Sequence, residues 1–353
     1  MAQHLPDTPA AQLTGSTGPI HAVSYSSSPG TYILTGSADR SVRLYNPFPS
    51  TTAPAIRSSS ITSKQALSIP QGRLVQTYNA HGYEVLSLAV ASDNHRFASS
   101  GGDRAVFLWD VSTATTIRRF AGHGGRINAV KFAGDGESLV VSGGFDTSVR
   151  LWDCKSSNLK PIQCLEDAKD AITTLAVFDK QVIAGSVDGR VRSYDVRMGK
   201  CTTDVIGASV TSLDTTRDGR TVVVGSLDSK IRLMDRDTGK CLRAYADSGF
   251  KNTEYRVQSI LGGKEKYILA GDEDPEQPET GRLWAWDLLS GNLIKKINVP
   301  WGPEEGKKRV VGRDGKEKVR RNVVSCLAWR EGGWGDQYCV GGTSGIVTVF
   351  GAL

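Results

Sequence analysis

Apolar and polar positions alternate along this chain in short runs, such as Val42-Arg43-Leu44-Tyr45 and Val149-Arg150-Leu151-Trp152. A period of two is that of a half-buried β-strand, and the 3.6-residue period of an amphipathic helix is almost nowhere sustained. Gly, Asp and Ser cut the runs into strands and tight turns. One phrase recurs: small residues, an Asp, then an apolar strand closed by an aromatic residue and Asp. It reads Thr35-Gly36-Ser37-Ala38-Asp39 to Tyr45-Asn46, then Ser99-Ser100-Gly101-Gly102-Asp103 to Trp109-Asp110 and Ser142-Gly143-Gly144-Phe145-Asp146 to Trp152-Asp153. It returns as Gly185-Ser186-Val187-Asp188 to Tyr194-Asp195 and Gly225-Ser226-Leu227-Asp228 to Met234-Asp235. A stretched copy runs from Gly271-Asp272 to Trp286-Asp287, and a worn one from Gly341-Gly342 to Val349-Phe350.

The closing positions of the second to fifth copies lie 43, 42 and 40 residues apart, the period of WD-type repeats. Longer spacings elsewhere coincide with insertions at 50–70, 272–281 and 301–321. The expected fold is all-β: a seven-bladed WD-repeat β-propeller. One four-stranded sheet cannot cover both apolar faces, whereas seven stacked radially can. Ala11-Gln12-Leu13 aligns with an outer strand and Val347-Thr348-Val349-Phe350 with an inner one, so the N-terminal strand should complete the last blade and close the ring. The domain reading is a tail over 1–10 and a single propeller over 11–353.

Composition adds limits. No apolar stretch approaches the length needed to span a bilayer, no secretory leader is legible at Met1-Ala2-Gln3-His4, and the six cysteines are scattered without a Cys-x-x-Cys pair. That pattern fits reduced thiols, with no disulfide framework or zinc site. The formal net charge of +6 has a location: Lys307, Lys308, Arg309, Arg313, Lys316, Lys318, Arg320 and Arg321 face only two acidic residues between 307 and 321. This segment reads as a solvated loop that could contact an acidic protein surface or an RNA backbone. It contains no aromatic residue on which bases could stack.

Two sets of residues imitate a hydrolase triad: His81, Ser99, Asp103 with Trp109, and His123, Ser142, Asp146 with Trp152. They resemble the structural network of WD repeats, in which a turn Asp holds His, His reaches Ser, and Ser reaches the indole N–H. Blade one has Thr35, Asp39 and Tyr45 with Ser16 in place of His, and blades four to seven lack the His. No phosphate loop, metalloprotease helix or nucleophile elbow is present. The acidic run Asp272-Glu273-Asp274 with Glu276 and Glu279 lacks the ligand spacing of a calcium loop and reads as solvated. No catalytic residue, cofactor or metal is expected.

The turns around each repeat Asp and the start of each innermost strand should ring one end of the central channel. Aligning the copies places His21, Glu84, Leu86, Arg126, Asn128, Phe145, Thr173, Val187, Thr211, Leu227, Arg256 and Gln258 there. Exposed apolar residues beside arginine are the mixture expected of a protein-binding surface.

Segments such as Ala80-His81-Gly82-Tyr83-Glu84-Val85-Leu86, Ala184-Gly185-Ser186-Val187-Asp188-Gly189-Arg190 and Asp235-Arg236-Asp237-Thr238-Gly239 are similar to the mitogen-activated protein kinase organizer family of WD-repeat proteins, from about residue 13 to 299. The resemblance implies a non-enzymatic scaffold for kinase-cascade components or spliceosomes, monomeric by itself, in cytoplasm and nucleus. A ubiquitin-ligase substrate adaptor and a propeller hydrolase are the alternatives. No helical adaptor extension flanks the repeats to favour the first.

Overall fold

Seven four-stranded antiparallel sheets account for nearly all the regular structure of the computed structural model, which describes residues 5–48, 69–273, 280–302, 309–311, 317–319, 321–330 and 335–352. From innermost to outermost strand, blade two is Val85–Val90, Arg96–Gly101, Ala105–Asp110 and Thr116–Ala121. Blade three follows with Ile127–Ala133, Leu139–Gly144, Val149–Asp153 and Gln163–Leu165. Blades one, four, five and six begin at or near Ile20, Ile172, Val210 and Ser259 and repeat this order.

Blade seven closes as the sequence predicts. Its innermost strands are Val324–Trp329, Gln337–Gly342 and Val347–Gly351, and Pro9–Leu13 is its outermost, in the register Ala11↔Val349 and Leu13↔Val347. The predicted tail over 1–10 needs correction: the closing strand begins at Pro9, and Leu5, Pro6 and Asp7 before it are packed. Leu5 is buried among Tyr267, Leu269, Tyr338 and Phe350, between blades six and seven. The Tyr338 hydroxyl donates to the Pro6 carbonyl at 2.6 Å, and Asp7 pairs with Lys295. An apolar residue at position 5 gains about 2 kcal/mol from such burial, reason enough for the chain to stay docked.

The core lies between blades, where the apolar face of one sheet meets that of the next. The recurring glycine sets the spacing. A Cβ at Gly143 would lie 2.5 Å from Ile172 Cγ2 of blade four, and one at Gly36 or Gly185 would meet Val85 or Val210 of the following blade nearly as closely. The repeat glycine, which sits within the second strand, is therefore required by blade-to-blade contact. The third-strand aromatics fill the remaining volume, as where Trp109 stacks on Phe97 at 5.7 Å.

The three insertions fare differently. Residues 49–68 lie outside the described residues, which covers nearly all of the Ser/Thr-rich insertion; Pro70 and Gly72 pair with Gln12 beside the closing strand. In the basic segment, expected to be a loop, Arg309–Val311 pairs with Glu317–Val319 as a two-stranded hairpin. Lys307, Lys308, Arg313, Lys316 and Arg320 lie outside the described residues, and Arg321 is exposed. Two acidic residues read as solvated are instead buried. Asp272 accepts from Arg282 Nε at 2.8 Å and Trp284 Nε1 at 2.7 Å, and Glu273 accepts from the backbone N–H groups of Thr253, Glu254 and Tyr255. Charge-assisted donors repay the desolvation of both carboxylates.

Candidate protein-binding face

Each innermost strand starts at the same end of the channel, here called the upper end, and the turn between the second and third strands of each blade returns there. The turns are held from below by polar networks. In blade three, His123 Nδ1 lies 2.9 Å from Asp146 Oδ1, His123 Nε2 lies 2.7 Å from Ser142 Oγ, and Trp152 Nε1 donates to Ser142 Oγ at 2.8 Å. Blade two repeats this: His81 to Asp103 at 2.6 Å, His81 to Ser99 at 2.7 Å, Trp109 to Ser99 at 2.8 Å. Gly82 and Gly124 add backbone N–H donors to the two carboxylates.

The consistent proton arrangement runs Trp N–H to Ser, Ser O–H to His, His N–H to Asp. Ser99 and Ser142 have no exposed surface, and an indole occupies the lone pair side of each hydroxyl. Such a serine is tied into the core and cannot reach a substrate. Burial lowers the pKa of His81, outweighing the opposing pull of Asp103. At Asp146 burial works the other way, but the hydrogen bonds from His123 and Gly124 overcome it and hold the carboxyl below its ordinary range.

Blades one, four and five use a second network that the sequence reading missed. In blade four, Ser186 Oγ bonds Asp188, and Arg192 reaches both, with Arg192 Nη2 at 2.7 Å from Asp188. Blade five repeats it with Ser226, Asp228 and Arg232. Blade one pairs Arg43 with Asp39 at 2.9 Å, and its Ser16 meets Ser37 at 2.5 Å. Thr35, expected to take the serine role there, leaves its hydroxyl without a partner, while Tyr45 donates to the Thr14 carbonyl at 2.7 Å. The signal was present as Ser-x-Asp-x-x-x-Arg in all three blades. In blade six Asp272 stands where Ser186 and Ser226 stand and holds Arg282 and Trp284.

The twelve expected ring residues divide into two groups. Six blades carry a β-bulge at the second residue of the innermost strand, and His21, Leu86, Asn128, Thr173 and Thr211 are bulge residues. A bulge turns its extra residue out of the ladder, and here several are aimed at the neighbouring blade rather than at solvent. Asn128 donates to the Ile172 carbonyl at 2.7 Å, Thr173 to the Val210 carbonyl at 2.6 Å, and Thr211 accepts from Asn252. Gln258 accepts from the Leu327 N–H. Asn128 and Thr211 are buried, so these two leave the expected contact surface and act as latches between blades.

The other group is presented. Phe145 is 56% exposed with the Arg126 guanidinium 5.3 Å above its ring, Val187 is exposed, and Leu227 is partly so. Two further aromatics stand on the same end and were not singled out from sequence: Tyr83, 64% exposed, and Tyr255, 45% exposed. Each directly precedes the position equivalent to Arg126, and that offset was the legible signal. Glu273 fixes the turn that displays Tyr255. His21 and Glu84 approach at 3.8 Å, and Arg256 extends across the channel mouth to the Asn128 carbonyl at 2.8 Å. Burial lowers the pKa of His21 against the opposing effect of Glu84.

Comparison with known proteins agrees with this geometry. The WD domain, G-beta repeat model matches residues 7–46, 72–110, 114–153 and 199–235. The chain is similar to WD repeat domain-containing protein 83 of Rattus norvegicus, 38% identical over 84% of each chain, and to that of Homo sapiens, 37% identical over 84% of each. Its Dictyostelium discoideum homolog is 29% identical, over 81% of this chain and 87% of its own. The chain belongs to the WD-repeat propeller family that includes these proteins.

Proposed function

We propose that this chain is a non-enzymatic protein-interaction scaffold whose upper face, carrying Tyr83, Phe145, Val187, Leu227 and Tyr255 around Arg126, is its docking surface. The observation that carries this reading is the exposure of Tyr83, Phe145, Val187 and Tyr255, with Leu227 partly exposed, on turns locked from beneath by buried networks. Rigid aromatic anchors lose little conformational entropy on binding and dominate interface energetics. The histidines, serines and aspartates that imitate a triad are committed to the fold, which supports a binding role over a hydrolytic one.

The resemblance to the kinase organizer family supports a place in pre-mRNA splicing complexes or in a mitogen-activated protein kinase cascade, with residence in cytoplasm and nucleus. The basic segment at 307–321 favours splicing, because clustered Lys and Arg suit a partner rich in phosphate or carboxylate. The test is affinity purification of the full chain and of the Tyr83→Ala/Phe145→Ala/Tyr255→Ala variant, read by mass spectrometry. Splicing factors or cascade kinases should co-purify with the parent and be lost from a variant whose melting temperature is unchanged. Retention of all partners by the variant, or a lone monomer in both cases, refutes the proposal.

A further inference from the structure

The central channel holds a cavity of about 680 Å³, lined by the innermost strands of all seven blades. That volume is in the range of small-molecule sites. Its upper end is crossed by Arg256, whose guanidinium reaches from blade six to the Asn128 carbonyl of blade three. A guanidinium has five N–H donors, and among the described residues this one has a hydrogen bond from Nη1 alone and no ion pair. The contrast with the other blade arginines is direct: Arg43, Arg150, Arg192, Arg232 and Arg282 each pair with the Asp of their own blade.

The charges near Arg256 do not compensate it. Arg126 acts on it as a like charge, and Glu84 is turned to His21. Enclosure in the channel lowers its pKa to about 10, the direction expected of a cation whose desolvation is not offset. Toward the lower end the lining carries Lys131 and Arg217 against one carboxylate, Asp214, which already accepts from the Leu261 and Thr215 N–H groups. An excess of positive charge lining a polar cavity open to solvent fits a ligand of the opposite sign.

We propose that the channel is a binding site for a small polyanion, a molecule bearing several phosphate or carboxylate groups, with Arg256 as its anchoring residue. Entry is from the lower end, where Lys131 and Arg217 draw the anion in, and one anionic group then takes the free donors of Arg256. The site is independent of the upper-face docking surface, since Phe145 and the two tyrosines do not line it.

The test uses the full chain and the probes inorganic phosphate, citrate and inositol hexakisphosphate, at constant ionic strength set with chloride. Binding is read by isothermal titration calorimetry, and melting temperature by scanning fluorimetry. At least one polyanion should bind with micromolar affinity and raise the melting temperature. Arg256→Gln should weaken it tenfold or more, and Arg256→Lys should retain part of the affinity. A variant with the eight basic residues of 307–321 changed to Gln should bind as the parent does, which excludes capture by that segment. Circular dichroism and an unshifted melting temperature without ligand establish that Arg256→Gln is folded. Equal binding by parent and Arg256→Gln, or no binding of any probe, overturns the proposal. So does binding of a hexaglutamate peptide but of none of the small anions, since the anion would then belong to a partner chain.

Discussion

Replacing Ser142 with Ala tests whether the blade-three network is structural. The hydroxyl has no solvent exposure and makes two short contacts, 2.7 Å to His123 Nε2 and 2.8 Å from Trp152 Nε1. Removing it leaves a buried indole N–H without an acceptor and a buried imidazole nitrogen without a donor. Each stranded group costs about 1–3 kcal/mol, so Ser142→Ala should lower stability by about 2–6 kcal/mol. Unfolding entropy of about 2.1 cal/mol/K per residue gives about 0.7 kcal/mol/K for the whole chain, so the melting temperature should fall by about 3–8 °C. Urea denaturation followed by tryptophan fluorescence measures the loss directly. His123→Ala combined with Ser142→Ala should cost less than the sum of the single changes, because the two residues share one bond. A Ser142→Ala protein within about 0.5 kcal/mol of the parent, as for an ordinary surface change, would refute the network's role.

Four other outcomes follow from the same geometry. Deleting residues 1–13 removes the outer strand of blade seven together with buried Leu5 and Leu13 and should destabilise the ring by more than 4 kcal/mol; an unchanged melting temperature would sink the closure. Gly143→Val should prevent close apposition of blades three and four and cost over 2 kcal/mol in urea denaturation, whereas Gly199→Ala, at a turn with open space around it, should cost under 1 kcal/mol despite its positive φ. The lowered pKa of His81 means the unfolded chain takes up its proton first, so stability should fall as pH drops below the ordinary histidine value near 6.5; His81→Asn should flatten that slope between pH 7 and 5.5. If the 307–321 segment contacts RNA, affinity should fall steeply with salt and vanish on charge reversal of its eight basic residues, and salt-independent binding would exclude the contact.

The seven blades and the closing strand were legible because strand alternation and turn glycines are local and repeat. What stayed hidden depended on contacts between distant segments. Leu5 looked like tail because its pocket is made by Tyr267, Tyr338 and Phe350, all more than 260 residues away in sequence. Asp272 and Glu273 looked solvated because they sit in an acidic, proline-bearing run, and their donors come from Arg282, Trp284 and the 253–255 turn. Asn128 and Thr211 were placed at the correct height in the channel but with the wrong outlook. Alignment fixes a position in the blade, whereas the bulge decides which way its side chain leaves the ladder.

The two kinds of turn network explain why only some blades need the histidine. In blades two and three the third strand ends on Trp, whose indole N–H is buried and must have an acceptor. A serine one strand away supplies it, and histidine relays that serine to the turn Asp. In blades four and five the residue at the tryptophan position is Tyr194 or Met234, so no indole has to be satisfied. The serine position becomes Ala184 or Val224, the next-but-one residue becomes Ser186 or Ser226, and an arginine two positions before the Tyr or Met, Arg192 or Arg232, binds the Asp directly. Blade six combines both demands: Trp284 stands where those arginines stand, and Asp272 accepts from its indole and from Arg282 together. The turn Asp or its substitute is thus the constant, arginine reaches it in blade three as in blades four and five, and histidine is added where a third-strand Trp bonds the serine, as in blades two and three. Loss of histidine from a repeat is therefore no sign of decay in the blade; the residue to inspect is the one that pairs with the Asp.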